Sequence, residues 1–388
     1  MHTDVAVIGG GIMGSALAYW LTTLDRELGV TVIERDPSYQ HASSALSAAS
    51  IRQQYTSAIN VRISQQAIEF LRSAGERLAV DDAVPDIALV EDGYLYLAGP
   101  AQLGALRAAH AFQRALGADV ALLDAAALAA RLPWLSTEGI AGASLGLSGE
   151  GWFDGYALLS GFARKARSQG ARYLRGEVRA LRVRNHRVTG LTLADGTRLG
   201  CQFAVNAAGP WARSLAALAG IELPVFARRR TVFVVSCPTP PPRMPLLIDR
   251  SGFWLRPEGR NFIGAPPPDA DPDEPPLEPE IGRFESDFWP ALAARIPAFE
   301  AARLERAWAG YYELNTFDHN GILGMHPSID NLVFMNGFSG HGMQQAPVVA
   351  RGTAELILTG RYASLDLSDL GIERLVENRP LLERNVIG

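Results

Sequence analysis

The stretch "DVAVIGGGIMGSALAYWLTTL" (residues 4–24) constrains this chain more than any other. A short apolar run turns on glycines and passes directly into a helix-compatible segment with apolar residues on one side. "GVTVIERD" follows as a second buried strand. Strand, glycine turn, helix and strand in that order open a parallel βαβ fold. Within "GGGIMG", Gly9, Gly11 and Gly14 satisfy G-x-G-x-x-G. The first glycine permits the tight turn, the second lets a pyrophosphate approach the backbone, and the third lets helix and strand pack closely. The helix N-terminus offers free N–H groups and a partial positive charge to the phosphates. Glu34, twenty residues after Gly14, ends the next strand where a carboxylate can accept bonds from ribose hydroxyls. A carboxylate at that corner argues against a 2′-phosphate, even with Arg35 beside it. The motif predicts a bound dinucleotide without separating NAD from FAD.

A length of 388 residues predicts two connected domains. A helix is expected over about 60–78, where Ile63, Ala67, Phe70 and Leu71 fall at helical spacing. Strands around "EDGYLYLA" and two alanine-rich helices fill 84–148. "GYALLSGFARKARSQG" reads as a helix with a glycine stop. A meander with turns at Asn185 and Asp195-Gly196 leads into the buried run "FAVNAAG". Strands return at "RRTVFVVS", "PLLIDRSGFWLRP" and "NFIGAP", and the proline-rich acidic segment 265–280 is expected as an exposed loop or a lid. A strand pair, the turn "NGFSGHG" and a helix over about 343–359 close the chain.

A net charge of -5 without a basic tract gives no reason to expect nucleic acid or an anionic membrane as main partner. Cys201 and Cys237 cannot build a disulfide framework, and the seven histidines show no metal-site spacing, so no metal is expected. No apolar run approaches the roughly 20 residues of a membrane span, and no signal-type leader opens the chain. The expectation is a cytoplasmic enzyme without a transmembrane segment.

Later segments decide between the cofactors. "SSALSAASIRQQY", "VNAAGPWA", "WAGYYELNTFDHNGILG" and "NGFSGHGMQQAP", with the glycine loop and Glu34, resemble the D-amino-acid-oxidase-like superfamily of FAD enzymes. That superfamily includes sarcosine, dimethylglycine and glycine oxidases and D-amino-acid dehydrogenases. The last two segments, with "EGWFDGYALL", look most like FAD-dependent oxidoreductase-domain proteins related to a mitochondrial complex I assembly factor. The resemblance implies an α/β fold: a Rossmann-like FAD-binding domain (1–80, 150–222 and 306–388) plus a discontinuous α+β substrate domain (81–149 and 223–305). The substrate domain is expected on a mostly antiparallel sheet.

By the same resemblance, Gly9, Gly11, Ile12, Met13 and Gly14 meet the FAD pyrophosphate, and Glu34 and Arg35 its adenosine end. Ser43, Ser44, Ser47, Ala48 and Ala49 approach the pyrophosphate and flavin ring. Val178 lies on the adenine side; Ala208, Gly209, Trp211 and Gly310 lie beside the cofactor. The turn of Gly337, Ser339, Gly340, His341, Gly342, Met343 and Gln344 supports the flavin ring, where backbone N–H groups would stabilise negative charge after reduction.

Departures from the family matter as much. Gly310 stands where monomeric sarcosine oxidases keep a flavin-linked cysteine, so the FAD is expected to be non-covalent. A gapless match puts Phe262 in place of a lysine that assists oxygen activation, which favours a dehydrogenase using a quinone or protein acceptor over an oxidase using oxygen. Tyr312 replaces an arginine, and Gln344 a lysine, that hold the substrate carboxylate in relatives. Arg52 and Arg230 remain as carboxylate partners, with Tyr55, Trp254, Tyr311 and Tyr312 as pocket walls and Trp308 in the core. Arg52, Tyr312 and His341 are the expected catalytic groups. The implied reaction is oxidation of a C–N bond in a secondary amine or amino acid, of N-substituted glycine or D-amino-acid type, to an imine that hydrolyses. A flavoprotein serving mainly as an assembly or scaffold factor is the other reading.

Overall fold

A computed structural model describes residues 1–384 of the chain; the last four positions of the expected segment 306–388 lie outside it. The opening reads as expected: strand His2–Ile8, helix Ile12–Leu24 and strand Val30–Glu34. They sit in a sheet ordered Ile322–His326, Ile329–Asn336, Arg198–Asn206, His2–Ile8, Val30–Glu34, Arg172–Arg175. Along this path all neighbours are parallel except the first pair, and Arg187–Leu193 and Val178–Arg184 extend the sheet antiparallel from Arg198–Asn206.

Strand parity explains why its central strands read as unbroken apolar runs. Val5, Val7, Val32 and Val205 pack against Leu17 and the other helix residues of one core. Their neighbours Ala6, Ile8, Ile33 and Ala204 pack on the opposite face with Leu191 of the antiparallel meander. A parallel sheet covered on both faces requires apolar residues at every position. The meander turns at Asn185 and His186, both with positive φ, and these two residues form the tight connection between Val178–Arg184 and Arg187–Leu193.

A second sheet runs Arg303–Asn315, Val225–Ser236, Asn261–Ala265, Trp254–Glu258, Leu246–Ile248, Tyr94–Ala98, Gly142–Gly146, Val120–Asp124. Its pairs are antiparallel apart from Leu246–Ile248 with Tyr94–Ala98. One face, with Phe233, Leu255 and Phe262, packs on Phe288 and Phe299. The other, with Val232, Trp254 and Ile263, turns toward the first sheet's end of the molecule and packs on Trp152. Trp308 is half-buried beside that face and donates from Nε1 to Leu46 O.

Helix Gly342–Thr359 crosses the first helix on the helical face of the first sheet. The chain's end is tied down by a buried pair. Arg374 donates to both Asp318 oxygens, 2.7 and 3.0 Å away, and Asp318 also accepts from Leu381 N. Both side chains are almost wholly excluded from solvent. Removing one partner would strand the other charge in the core, so Asp318→Ala should cost about 3–5 kcal/mol of stability. Urea denaturation checks this; a loss near zero would mean the pair does not brace the end of the chain.

Candidate functional site

Three strand ends converge where the site forms. Gly9 N donates to Ile33 O and Ala207 N to Ile8 O, both at 2.9 Å, which brings the carboxyl ends of strands His2–Ile8, Val30–Glu34 and Arg198–Asn206 together. Ligands of open α/β sheets bind at such ends. Gly9 has φ +105°, and a Cβ there would lie 2.3 Å from Ala207 O; a Cβ on Gly14 would lie 1.9 Å from Gly9 O. The glycines are therefore dictated by backbone contact. The N-cap of helix Ile12–Leu24 is Gly11, which has no side chain to cap it, and the first turn carries no acidic residue, so no charge within the helix offsets its positive end at the cavity. Ser44 Oγ accepts from Ile12 N at 3.0 Å, while Ser43 Oγ is buried without a partner. Glu34 accepts from Gly10 N at 2.7 Å and Asp36 N at 2.8 Å, and the Arg35 guanidinium stacks 3.6 Å over Trp211.

The cavity at this loop has a volume of about 490 Å³. Gly9, Gly11, Ile12, Met13, Glu34 and Arg35 line it, as do Ser43, Ser44, Val178, Ala208, Gly209 and Trp211. Gly14 lies behind it, packed on Gly9. A second cavity adjoins it, between the second sheet and the turn ahead of the last helix. Ser47, Ala48, Ala49, Gly310, Gly340, Gly342 and Met343 line this one, with Arg230, Trp254, Tyr311 and Tyr312.

Register explains the second group. Tyr312 lies opposite Arg228 and Gly310 opposite Arg230, so all four share one face of the sheet. Tyr311 takes the other face, edge-on to Trp211 at 6.1 Å, and its hydroxyl donates to Pro275 O. Burial raises the Tyr312 phenol above its usual range, against the charges of Arg230 and Arg52, so it stays protonated near neutrality. Ala49 and Ser339 hold positive φ without being glycine. Arg256 fixes the first of these stretches by donating to Ala48 O, at 2.6 Å from Nη2. Gly340 is pressed on Tyr312: a Cβ there would lie 2.7 Å from the ring. Gly337, φ +73°, and Ser339 shape this turn from behind, Ser339 Oγ accepting from Asn315 N at 3.0 Å.

Arg52, Tyr55 and Gln344, expected at the substrate, and His341, expected at the flavin as a catalytic group, do not line either cavity and form one buried network. Arg52 N donates to Gln344 Oε1 at 2.9 Å, its Nη1 to Gln54 O at 2.7 Å, and its Nη2 meets His341 Nε2 at 3.1 Å. The guanidinium lies 4.0 Å over the Tyr55 ring, and Gln344 donates to the Tyr55 hydroxyl. Because a guanidinium only donates, His341 Nε2 accepts and the proton sits on Nδ1. Burial, then the Arg52 charge, lowers the imidazole pKa to about 3, so it is neutral at physiological pH.

Phe262 is not over the cavity. Its strand alternates, and Phe262 faces Phe299 at 4.8 Å in the second core while Ile263 and Ala265 take the opposite side. A gapless match counts positions but does not fix the face. Segment 266–280 is a strap laid along strand Val225–Ser236. Asp271 receives Arg230 through both oxygens, at 2.7 and 3.2 Å; Glu274 N donates to Ala227 O, and Glu280 N to Thr231 Oγ1. Asp271 and Glu313, which also line the second cavity, escape the sequence reading. Strand alternation from Tyr311 could have pointed to Glu313, which shares its face; nothing in the proline-rich run marks Asp271.

The family model described as "FAD dependent oxidoreductase" matches residues 4–356. Over all of this chain and 85% of its own length, FAD-dependent oxidoreductase domain-containing protein 1 of Xenopus laevis is 40% identical. Glycine oxidase of Geobacillus kaustophilus is 26% identical over 96% of this chain and 97% of its own. The crystal structure of L-proline dehydrogenase from P. horikoshii superposes with a TM-score of 0.87, at 25% identity over 98% of this chain and 99% of that one. Among the described residues no helix is long and apolar enough to cross a membrane.

The residues present fit an FAD: two glycine-lined cavities that meet, a helix N-terminus without an acidic residue at the first, and an orphaned Ser43 hydroxyl where they join. Neither cysteine lines either cavity; Cys201 and Cys237 are buried in two different cores. Replacing Gly9 with Val would force apart the backbones that shape the first cavity. The variant should purify colourless while the wild type is yellow, with far-UV circular dichroism unchanged; a yellow G9V protein would refute this assignment.

Proposed function

Because the chain belongs to the FAD-dependent oxidoreductase family that includes glycine oxidase, we propose that it is a dehydrogenase oxidising the C–N bond of a secondary amine or amino acid. FAD is its cofactor; when bound, it supplies a two-electron acceptor for the hydrogen on the carbon beside nitrogen. The observation that carries the reading is the second cavity, where Arg230, Tyr312 and Trp254 face the glycine turn of Gly340–Met343.

Each residue has a physical task. Arg230 is the carboxylate partner. A guanidinium fork matches a carboxylate, and the bidentate Asp271 already occupies it as an internal stand-in. A bound substrate carboxylate replaces Asp271, which moves with the strap. Trp254 and Tyr312 exclude water, disfavour the charged amine and so supply the neutral nitrogen that the chemistry needs. The protonated Tyr312 hydroxyl orients and does not act as a base. Backbone N–H groups at the start of the last helix stabilise negative charge on the ring side. Oxidation gives an imine, and water then cleaves it to a carbonyl compound and an amine. Arg52, held against Tyr55 and His341, positions the turn from behind.

A dehydrogenase is favoured over an oxidase because Lys165 is the only lysine in the chain and donates to Ala79 O, far from both cavities. No lysine can stand over the ring to stabilise developing superoxide charge. Electrons then go to a quinone or protein acceptor. The proposed division is into a cofactor domain (1–80, 150–222 and 306 onward) and a substrate domain (81–149, 223–305). The exception is strand Arg303–Asn315, which is counted with the substrate sheet in which it is hydrogen-bonded.

Anaerobic mixing with N-methyl, N-carboxymethyl and D-amino acids should bleach the flavin absorbance, and a quinone should restore it faster than oxygen. Arg230→Ala should raise KM for the bleaching carboxylate by about 10- to 100-fold, the worth of a charge-assisted bond, with flavin content unchanged. No bleaching by any member of the panel would sink the reading.

A further inference from the structure

The two cavities share four lining residues: Ile12, Ser43, Ser44 and Glu313. An extended ligand that fills both passes all four, and Glu313 is the only one that ionises. We propose that Glu313 is a proton-linked anchor for the cofactor: bound FAD keeps its carboxyl in the neutral, hydrogen-bond-donating form, so that binding takes up a proton.

The position is built for a carboxyl and poorly built for a carboxylate. A Cβ on Gly209 would lie 3.8 Å from Glu313 Oε2, and one on Gly342 would lie 3.6 Å from Oε1. The group thus sits between the loop after strand Arg198–Asn206 and the start of the last helix. Gly337 N donates to Oε2 at 3.2 Å. Charged side chains on the surrounding elements are engaged elsewhere. Arg228, on the adjoining strand, reaches toward Asp271 at 3.8 Å, and Arg230 pairs with the same residue. Arg35 stacks on Trp211, and His341 on the turn meets Arg52. Glu274 of the strap lines the first cavity and adds negative charge. Burial raises the Glu313 carboxyl to about 7, against the N–H groups of Gly337 and Phe338.

FAD brings a pyrophosphate with two negative charges and displaces water from the cavity. Both effects oppose a carboxylate, and both favour the acid, which can donate to an oxygen of the cofactor. The sign follows. Below the pKa of the FAD-free protein the carboxyl is already protonated and affinity is flat. Above it, binding must draw a proton from solution and weakens as pH rises.

The inference rests on the cofactor and not on the amine substrate, so substrate bleaching is indifferent to its outcome. Holoprotein diluted at pH values from about 6 to about 8.5 releases FAD that is read by its fluorescence. The wild-type Kd should be level below about pH 7 and rise toward tenfold per pH unit above it, whereas Glu313→Gln should be level throughout. In weakly buffered solution near pH 8, FAD release from the wild type should free about one proton. A level wild-type profile, a glutamine variant that keeps the slope, or no proton released overturns the proposal. The proton count needs only the wild-type protein, so it decides the matter even if the variant does not fold.

Discussion

The site depends on one close approach between backbones. Gly9 O stands where a Gly14 side chain would begin, and Ala207 O stands where a Gly9 side chain would begin. That double contact seats the first helix on the sheet and fixes the directions of its N-terminal N–H groups. It also fixes the loop after strand Arg198–Asn206, which carries Ala208, Gly209 and Trp211 to the same cavity. A backbone at van der Waals contact cannot yield by rotating a side chain, so the geometry is set before any ligand arrives. The turn ahead of the last helix repeats the device: Gly340 lies on the Tyr312 ring with no room for a Cβ.

Behind the second cavity, rigidity comes from polar groups. Next to Arg52, Gln344, Tyr55 and His341, Gln345 donates from its backbone N to His341 O and from its side chain to Asn60, which donates to Glu383; Glu383 also accepts from the N–H and hydroxyl groups of Thr56 and Ser57. Such a network is costly where a member is left unbonded, as His341 Nδ1 and Gln345 Oε1 are here, and its bonded members specify one arrangement. Here the network joins the small-residue loop, the start of the last helix and the end of the described chain. Histidine serves in it as a neutral acceptor. The same residue types that suggest chemistry in a sequence therefore brace the turn that faces the cavity.

That difference marks how far the sequence was legible. The glycine loop, Glu34, the apolar strands and the meander turns are local patterns, each dictated by neighbours within a few residues, and the parallel sheet follows from them. The second sheet's strands were visible too, but not which face of each meets the site. Phe262 shows the cost of that ambiguity, since parity in a strand decides between core and cavity and one position reverses it. Arg230 and Asp271 lie 41 residues apart and meet only because the strap folds back along strand Val225–Ser236. The proline-rich segment carries no periodic signal, so its partner is set by tertiary contact alone.

Charge in the second cavity is balanced in a way that bears on its ligand. Arg230 is satisfied by Asp271, Arg228 leans on the same carboxylate, and Arg229 reaches Glu280 and Pro276 O on the strap. The three successive arginines hold the strap over the cavity, which Arg229 and Arg230 line, while Arg228 shares the strand face of Arg230. An incoming carboxylate would exchange one anion for another at Arg230, leaving the half-buried guanidinium paired throughout. A ligand without a carboxylate would have to leave Asp271 in place and fit beside it, or leave the half-buried guanidinium unpaired, which is unfavourable for a partly desolvated charge. On the proposed reading, the pair would discriminate for anionic substrates through what happens to Arg230 if Asp271 leaves, and the strap would supply that test without any residue dedicated to it alone.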